Sequence, residues 1–436
     1  MSRVVEAVPD QTGWILTLQH IHWHDGRPVT AADVCFSVAT ALDPRAPAWW
    51  RGPVAERVSA CTVLDARRAR LSADGDPREA LGIPLVPRHA YTQENPWFNP
   101  RLGSAPIGTG RYRATRTSAG WTLRARGSSG ISAFHLTSAE SDDAAVDRLL
   151  AGEGDGVLAV PPARVPGVVA ADGLALRWAN HQQITLIALD PGDGPTADPA
   201  VRRALDRLLD RPRLRERVVG IDPTDDRQPA TLVSGPFYPR SPWSARSIPP
   251  TLHDSADAAE ALSQSGFTWT GSHWVRDGAP LRIRVATGPP PLGSASLLYA
   301  ACGQWLTAGI EVEAVVLSRS AYALALEGHP PAGLDALVMS WTPPWGESPR
   351  GLVASTGWSN PFRYADPAVD RELDRLSDPD PDVARRAGWE LHGRLADRIP
   401  FLFLWTNDAW SAWSDSAVTF TPLTPGDLFG AVESWR

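Results

Sequence analysis

The sequence contains no lysine: every one of the 42 basic residues among its 436 is an arginine. The arginines are scattered and interleaved with 49 acidic residues, leaving a net charge of −7. A nucleic-acid surface needs basic groups concentrated enough to displace counterions, so no nucleic-acid partner is expected. Cysteine is nearly absent. Cys35, Cys61 and Cys302 match no zinc or redox spacing, and no metal or other cofactor is expected from them. An odd count leaves at least one thiol free unless two chains pair. Cys35 falls on an apolar helical face and reads as a small core residue; a Cys35–Cys61 bridge in an oxidising compartment stays open. No run of 18 apolar residues occurs, which excludes an ordinary membrane-spanning helix. Met1–Asp10 lacks the charged-then-apolar pattern of an export signal. Neither a G-x-S-x-G elbow nor an H-E-x-x-H helix is present; catalytic groups can converge in space without such a motif, so this absence alone does not exclude an enzyme.

What is present is a chain long enough for two or three domains, 43% hydrophobic, with 19 tryptophans. Most of those rings are expected to fill core and domain contacts, and a few to line a binding cleft. The most informative stretch runs from Trp14 to Leu42. Trp14–Leu18 reads as a strand and Asp25-Gly26 as a turn. Thr30 then caps a helix whose first turn carries Asp33 at its positive end. Val34, Cys35, Val38, Ala41 and Leu42 recur at helical spacing and form one apolar face. His20, His22 and His24 alternate as though along a strand, so three imidazoles could share one face and bind zinc or nickel. The competing reading is a polar edge strand facing water.

Further along, short strands are expected at Cys61–Leu64, Ala69–Ser72 and Trp121–Ala125, a helix over Ser141–Gly152, and buried strands at Asp155–Val160 and Ile184–Leu189. Asp198-Pro199 opens a helix as N-cap and N1. Residues 221–250 read as a long surface loop. From residue 257 helices and strands alternate: helices at Asp257–Ser265, Ala295–Ala308 and Ser320–Leu326, strands at Leu281–Ala286, Ile310–Val316 and Leu334–Met339. This alternation predicts an α/β layer with parallel strands. Two amphipathic helices, Asp366–Leu376 and Val383–Ile399, precede a buried strand, Phe401–Trp405.

The segment Trp23-His24-Asp25-Gly26-Arg27-Pro28-Val29-Thr30-Ala31-Ala32-Asp33-Val34-Cys35-Phe36-Ser37 resembles the signature of family 5 extracellular solute-binding proteins, the peptide-, opine- and nickel-type receptors of ABC importers. Pro106-Ile107-Gly108-Thr109-Gly110-Arg111-Tyr112 is similar to that family's P-x-G-T-G-x-Y. Pro84–Tyr91, Leu149–Asp155 and Arg202-Arg203-Ala204-Leu205 with Asp210-Arg211 extend the likeness. The resemblance implies an α/β, two-lobed, periplasmic-binding-protein-like (type II) fold with a ligand cleft between lobes. On that pattern residues 1–103 form the outer part of lobe one, 104–182 its core, completed by 403–436, and 183–402 form lobe two. Family members carry several dozen residues before the Trp14 strand, so the chain is expected to be N-terminally shortened, with Trp14–Leu18 left as an unpaired edge.

The resemblance implies a substrate-binding receptor subunit of an ABC importer, with no catalytic activity. Its partners would be a small-molecule or peptide-like ligand and the permease subunits, and a monomer is expected. The resemblance implies a periplasmic or cell-surface setting, with a cytoplasmic one left open by the missing signal. The alternatives are a receptor-like cytosolic sensor and a metal-dependent enzyme using His20, His22 and His24. Candidate ligand-binding residues are Trp341, Thr342, Trp345, Glu347 and Trp358. In peptide-binding members an Asp in this loop pairs with the ligand's amino terminus; here Pro344 stands in its place. The expected ligand is therefore not an ordinary peptide held by its free amino terminus, since a buried ammonium needs a compensating carboxylate.

Overall fold

The computed structural model describes residues 4–10, 13–74, 80–91, 99, 103–127, 130–179, 183–220, 230–290, 292–343, 348–407 and 409–415. The first sheet is antiparallel, with strands β1 (Val4–Asp10), β2 (Gly13–Leu18), β3 (Val58–Val63) and β4 (Arg68–Ala73) in the order β1-β2-β4-β3. Leu16 and Leu18 of β2 alternate inward and are fully buried, as are Ala69 and Leu71 of β4. The helix Ala31–Leu42 closes this face with Val34, Val38 and Ala41.

The expected unpaired edge does not exist. β2 lies inside the sheet, bonded to β1 on one side and β4 on the other. The outer strand is β1, whose Pro9 sits opposite Trp14 next to the hairpin turn, a position where a missing backbone donor is tolerated. Cys35 and Cys61 form a disulfide that ties the helix to β3, and Cys302 is free and buried.

A three-stranded meander follows: β5 (Tyr112–Thr117), β6 (Gly120–Ala125) and β7 (Ala133–Thr137). Ser141 caps the helix Asp142–Leu150, its hydroxyl accepting from Ala144 N–H. Next come β8 (Gly156–Val160) and β9 (Leu174–Ala179). β8 is not a fully buried strand: Val157 and Val160 face inward while Leu158 is 43% exposed.

The largest sheet starts with β10 (Ile184–Leu189), every residue of which is buried. A short ribbon, β11 (Thr268–Trp269), β12 (Trp274–Arg276) and β13 (Ala279–Pro280), precedes β14 (Arg282–Thr287), β15 (Glu311–Val316), β16 (Ala336–Trp341) and β17 (Phe401–Thr406). The order is β15-β14-β16-β10-β17. β14 pairs in parallel with β15 and β16, as the helix-strand alternation predicted, whereas β10 runs antiparallel to β16 and β17. One face carries a core with Leu205, Leu214, Leu262 and Trp305, and the other a core with Tyr322, Leu352, Leu373 and Leu391. The result is helices on both sides of a mixed sheet.

The loop after residue 229 covers the β17 edge. Thr406 N–H donates to Thr231 O at 2.9 Å and Val233 N–H to Leu404 O at 3.1 Å, so the edge presents no free ladder there. Two buried arginines brace the same region. Arg202 donates to Thr196 O, Ala197 O and Arg398 O at 2.8, 2.9 and 3.0 Å. Arg211, 2% exposed, donates to Phe403 O at 3.0 Å and pairs with Asp206. The R-x-A-L…D-R element is thus a structural brace, satisfying carbonyls that helix ends and loops leave unpaired. β18 (Ala409–Ser414) finally returns between β8 and β9. The chain therefore crosses between the β8-β18-β9 sheet and the five-stranded sheet twice, after Ala179 and after Thr406.

Candidate functional site

The glycine-rich and histidine-bearing motifs meet each other. Gly108 N–H donates to His24 Nδ1 at 3.2 Å, so the ring proton sits on Nε2, which donates to Gly110 O at 2.9 Å. His24 N–H also donates to Gly108 O at 2.9 Å. Asp25 accepts from His89 Nε2 at 2.6 Å. Beneath them Asp33, 4% exposed, accepts from Thr30 N–H at 2.9 Å, the Thr30 hydroxyl at 3.0 Å, Arg88 N–H at 2.9 Å and Trp23 Nε1 at 3.4 Å. The signature is a weld that fastens the first sheet to the segment entering β5.

This arrangement corrects the reading of three histidines on one strand face. The strand stops at Leu18, His22 forms an isolated bridge with Pro28, and both His24 ring nitrogens are spent on the 108–110 turn. Among the described residues no group of three or more His, Cys, Asp or Glu side chains is placed to hold a metal ion.

The second assembly lies where the two crossovers join the five-stranded sheet. Gln183 immediately precedes β10, and Asn407 immediately follows β17. Asn407 N–H donates to Gln183 O at 2.7 Å, and Asn407 Nδ2 donates to Gln183 Oε1 at 2.6 Å and Ser340 Oγ at 3.2 Å. Thr185 donates to Asn407 Oδ1 at 2.8 Å and lies 3.2 Å from Ser340 Oγ. Gln183 Nε2 reaches Thr342 Oγ1 at 3.3 Å. Ser340 and Thr342 are exposed, Gln183 and Asn407 half-buried.

Parallel strands β14 and β16 end at this edge, the end of an α/β sheet at which ligands are usually taken. All five side chains are neutral amides or hydroxyls, each able both to donate and to accept. Gln183 and Asn407 carry no periodic signal in the sequence. Only polar residues directly flanking two apolar strands mark them.

The residues expected to bind ligand fall in different places. Thr342 is in the polar cluster. Trp341 is 2% exposed and its ring belongs to the core beside Leu352 and Tyr364; its Nε1 has no partner among the described residues. Trp358 is half-buried and packs on two glycines, Gly52 and Gly351. Trp345 and Glu347, with Pro344, lie outside the described residues.

The family model for bacterial extracellular solute-binding proteins, family 5 Middle, matches residues 3–361. Protein XP55 of Streptomyces lividans is 27% identical over 418 residues, covering 88% of this chain and 71% of that protein. Among solved structures, the oligopeptide-binding protein AppA of Bacillus subtilis, in complex with a nonapeptide, is similar with a TM-score of 0.78 at 17% identity, over 100% of this chain and 89% of that one. A periplasmic oligopeptide-binding protein of an oligopeptide ABC transporter from Thermotoga maritima, with mannohexaose bound, has a TM-score of 0.71 at 20% identity, over 96% and 84%. The α/β architecture is thus the two-lobed one of periplasmic binding proteins. No helix among the described residues is long and apolar enough to cross a membrane.

Proposed function

The chain belongs to the bacterial extracellular solute-binding proteins of family 5, and from that membership we propose that it is the receptor subunit of an ABC importer, capturing solute by closure of its lobes. The observation that carries the placement of the site is the polar cluster of Gln183, Thr185, Ser340, Thr342 and Asn407 at the paired crossovers. It sits at the ligand end of the sheet and at the hinge between lobes, so a solute bound there touches the segments that must bend.

Lobe one comprises residues 1–103 and 104–182, completed by β18. Lobe two runs from 183 through β17; the boundary expected between residues 402 and 403 would cut that strand, which pairs with β10 as far as Thr406, so it moves to the strand's end. Trp345 and Glu347, three and five residues beyond Thr342 in the sequence, are proposed as further solute contacts; Trp341, buried in the core behind the cluster, supports it. The protein works as a monomer, without catalytic activity, outside the cytoplasm and beside its permease subunits. The Cys35–Cys61 disulfide supports the extracytoplasmic setting over the cytosolic-sensor reading, because such bonds persist in oxidising compartments.

The described part of the site holds no ionised side chain, so the portion of solute seated on it is uncharged and rich in hydroxyl or amide groups. A charged terminus buried against these groups would go uncompensated. Native mass spectrometry of the isolated protein identifies retained solute. Calorimetry with mannohexaose, a nonapeptide and its N-acetylated form then separates the chemistries. Binding that survives acetylation, or favours the sugar, supports the reading. Tight peptide binding that acetylation abolishes overturns the uncharged-site assignment, and no solute in any experiment overturns the receptor assignment.

A further inference from the structure

The first sheet and the β5–β7 meander share no strand, yet they are bonded to each other. His24 grips the 108–110 turn with both ring nitrogens, and Arg126 Nη1 adds a bond to His22 O at 3.5 Å. The chain links from β5–β9 to lobe two are confined to residues 180–183 and 407–408. Nothing in the connectivity brings the first sheet's neighbours against lobe two. They nevertheless touch.

The Trp358 ring lies against Gly52, in the helix Ala48–Ala55 of lobe one, and against Gly351 of lobe two. A Cβ on Gly52 would collide with Cγ, Cδ1 and Cδ2 of the indole, and one on Gly351 would lie 2.5 Å from Nε1. Both glycines are buried. Beside the ring Asp374 accepts from Arg57 of lobe one at 3.2 Å and Arg350 of lobe two at 2.7 Å. Asp374 is 64% exposed, and exposed ion pairs contribute little. The indole in its glycine slot is the part that holds.

We propose that Trp358 and Gly52 form an interlobe latch, guided by Arg57–Asp374–Arg350, that holds a closed population before solute arrives. Trp358 is then a positioning residue for closure, not a wall of the solute site. The inference rests on the receptor reading only in taking the lobes to move about the crossovers. In this proposal, opening there draws the ring off Gly52, with the 48–57 segment moving with lobe one. Apparent affinity scales with the fraction of protein already competent to bind, so the latch raises affinity without touching solute.

The test uses the full chain without solute. Spin labels at Thr62→Cys and Arg371→Cys report the interlobe distance distribution. Trp358→Ala and Gly52→Val are expected to lower the closed-to-open ratio by about tenfold, the scale of losing one well-packed aromatic anchor. Trp358→Phe should retain most of the closed fraction, and Asp374→Asn should shift it slightly in the open direction. Should a bulky residue at Gly52 prevent folding, Trp358→Ala and Asp374→Asn carry the test, with near-ultraviolet circular dichroism confirming native packing. An unchanged distribution in folded Trp358→Ala overturns the latch. Since no solute is added, a protein that binds nothing but opens on Trp358→Ala keeps the latch and removes the receptor assignment.

Discussion

Replacing Asp33 by alanine should destabilise lobe one more than any surface substitution. The carboxylate is 4% exposed and serves four donors: Thr30 N–H, the Thr30 hydroxyl, Arg88 N–H and Trp23 Nε1. The hydroxyl can turn to water. The two backbone donors and the indole cannot all do so, because Trp23 is fully buried. Each orphaned buried donor costs about 1–3 kcal/mol, and losing the helix-start contact adds about 1 kcal/mol. The Trp23 contact at 3.4 Å is long and counts at the low end. The expected loss is therefore about 3–5 kcal/mol, a large share of the roughly 5–15 kcal/mol that holds a domain folded.

Asp33→Asn keeps one acceptor oxygen and should lose about 1–3 kcal/mol. Urea unfolding followed by circular dichroism measures both, and amide exchange at Arg88 should accelerate in each. A loss below about 1 kcal/mol for Asp33→Ala would show that desolvating the carboxylate offsets what it bonds, and would refute the weld as an energetic feature.

Three further outcomes follow from the same reasoning. His392, 1% exposed, accepts Ala245 N–H at Nδ1 and contacts Ser234 Oγ through Nε2; burial holds its folded pKa below the ordinary 6.5. Its stabilisation is complete above pH 6.5 and declines as pH falls through that value toward the folded one, by up to about 1.4 kcal/mol per pH unit. His392→Phe should flatten that part of the pH-stability curve. Reducing Cys35–Cys61, which closes a separation of 26 residues, should cost about 3 kcal/mol and lower the melting temperature of lobe one. Cys302, whose thiol burial pushes up to about 12, should resist alkylation at pH 8 until the protein unfolds.

The parts legible in the sequence were those with strong local rules. The alternation after residue 257 became helices and parallel strands because each apolar run was flanked by capping residues such as Asp254, Ser294 and Ser318. β1 gave no strand signal because Val4–Asp10 carries Glu6 and Pro9 within its apolar run, and proline argues against a strand, so only its partner β2 reveals it. The three histidines misled because alternation in sequence means a shared face only while the backbone stays extended, and it turns after Leu18. Trp341 looked like a cleft residue from its place after a strand, yet alternation along β16 sends Ser340 to the polar cluster and Trp341 into the opposite core. Gln183 and Asn407 were invisible because what brings them together is sheet topology, a pairing across 224 residues.

The central claim is solute capture by closure about the crossovers beside Gln183 and Asn407. Small-angle X-ray scattering compares the protein as isolated with the same protein stripped of solute by unfolding and refolding. The account predicts a smaller radius of gyration for the solute-bearing form, and return to it when the identified solute is added back. Identical scattering curves with solute bound and absent would contradict it.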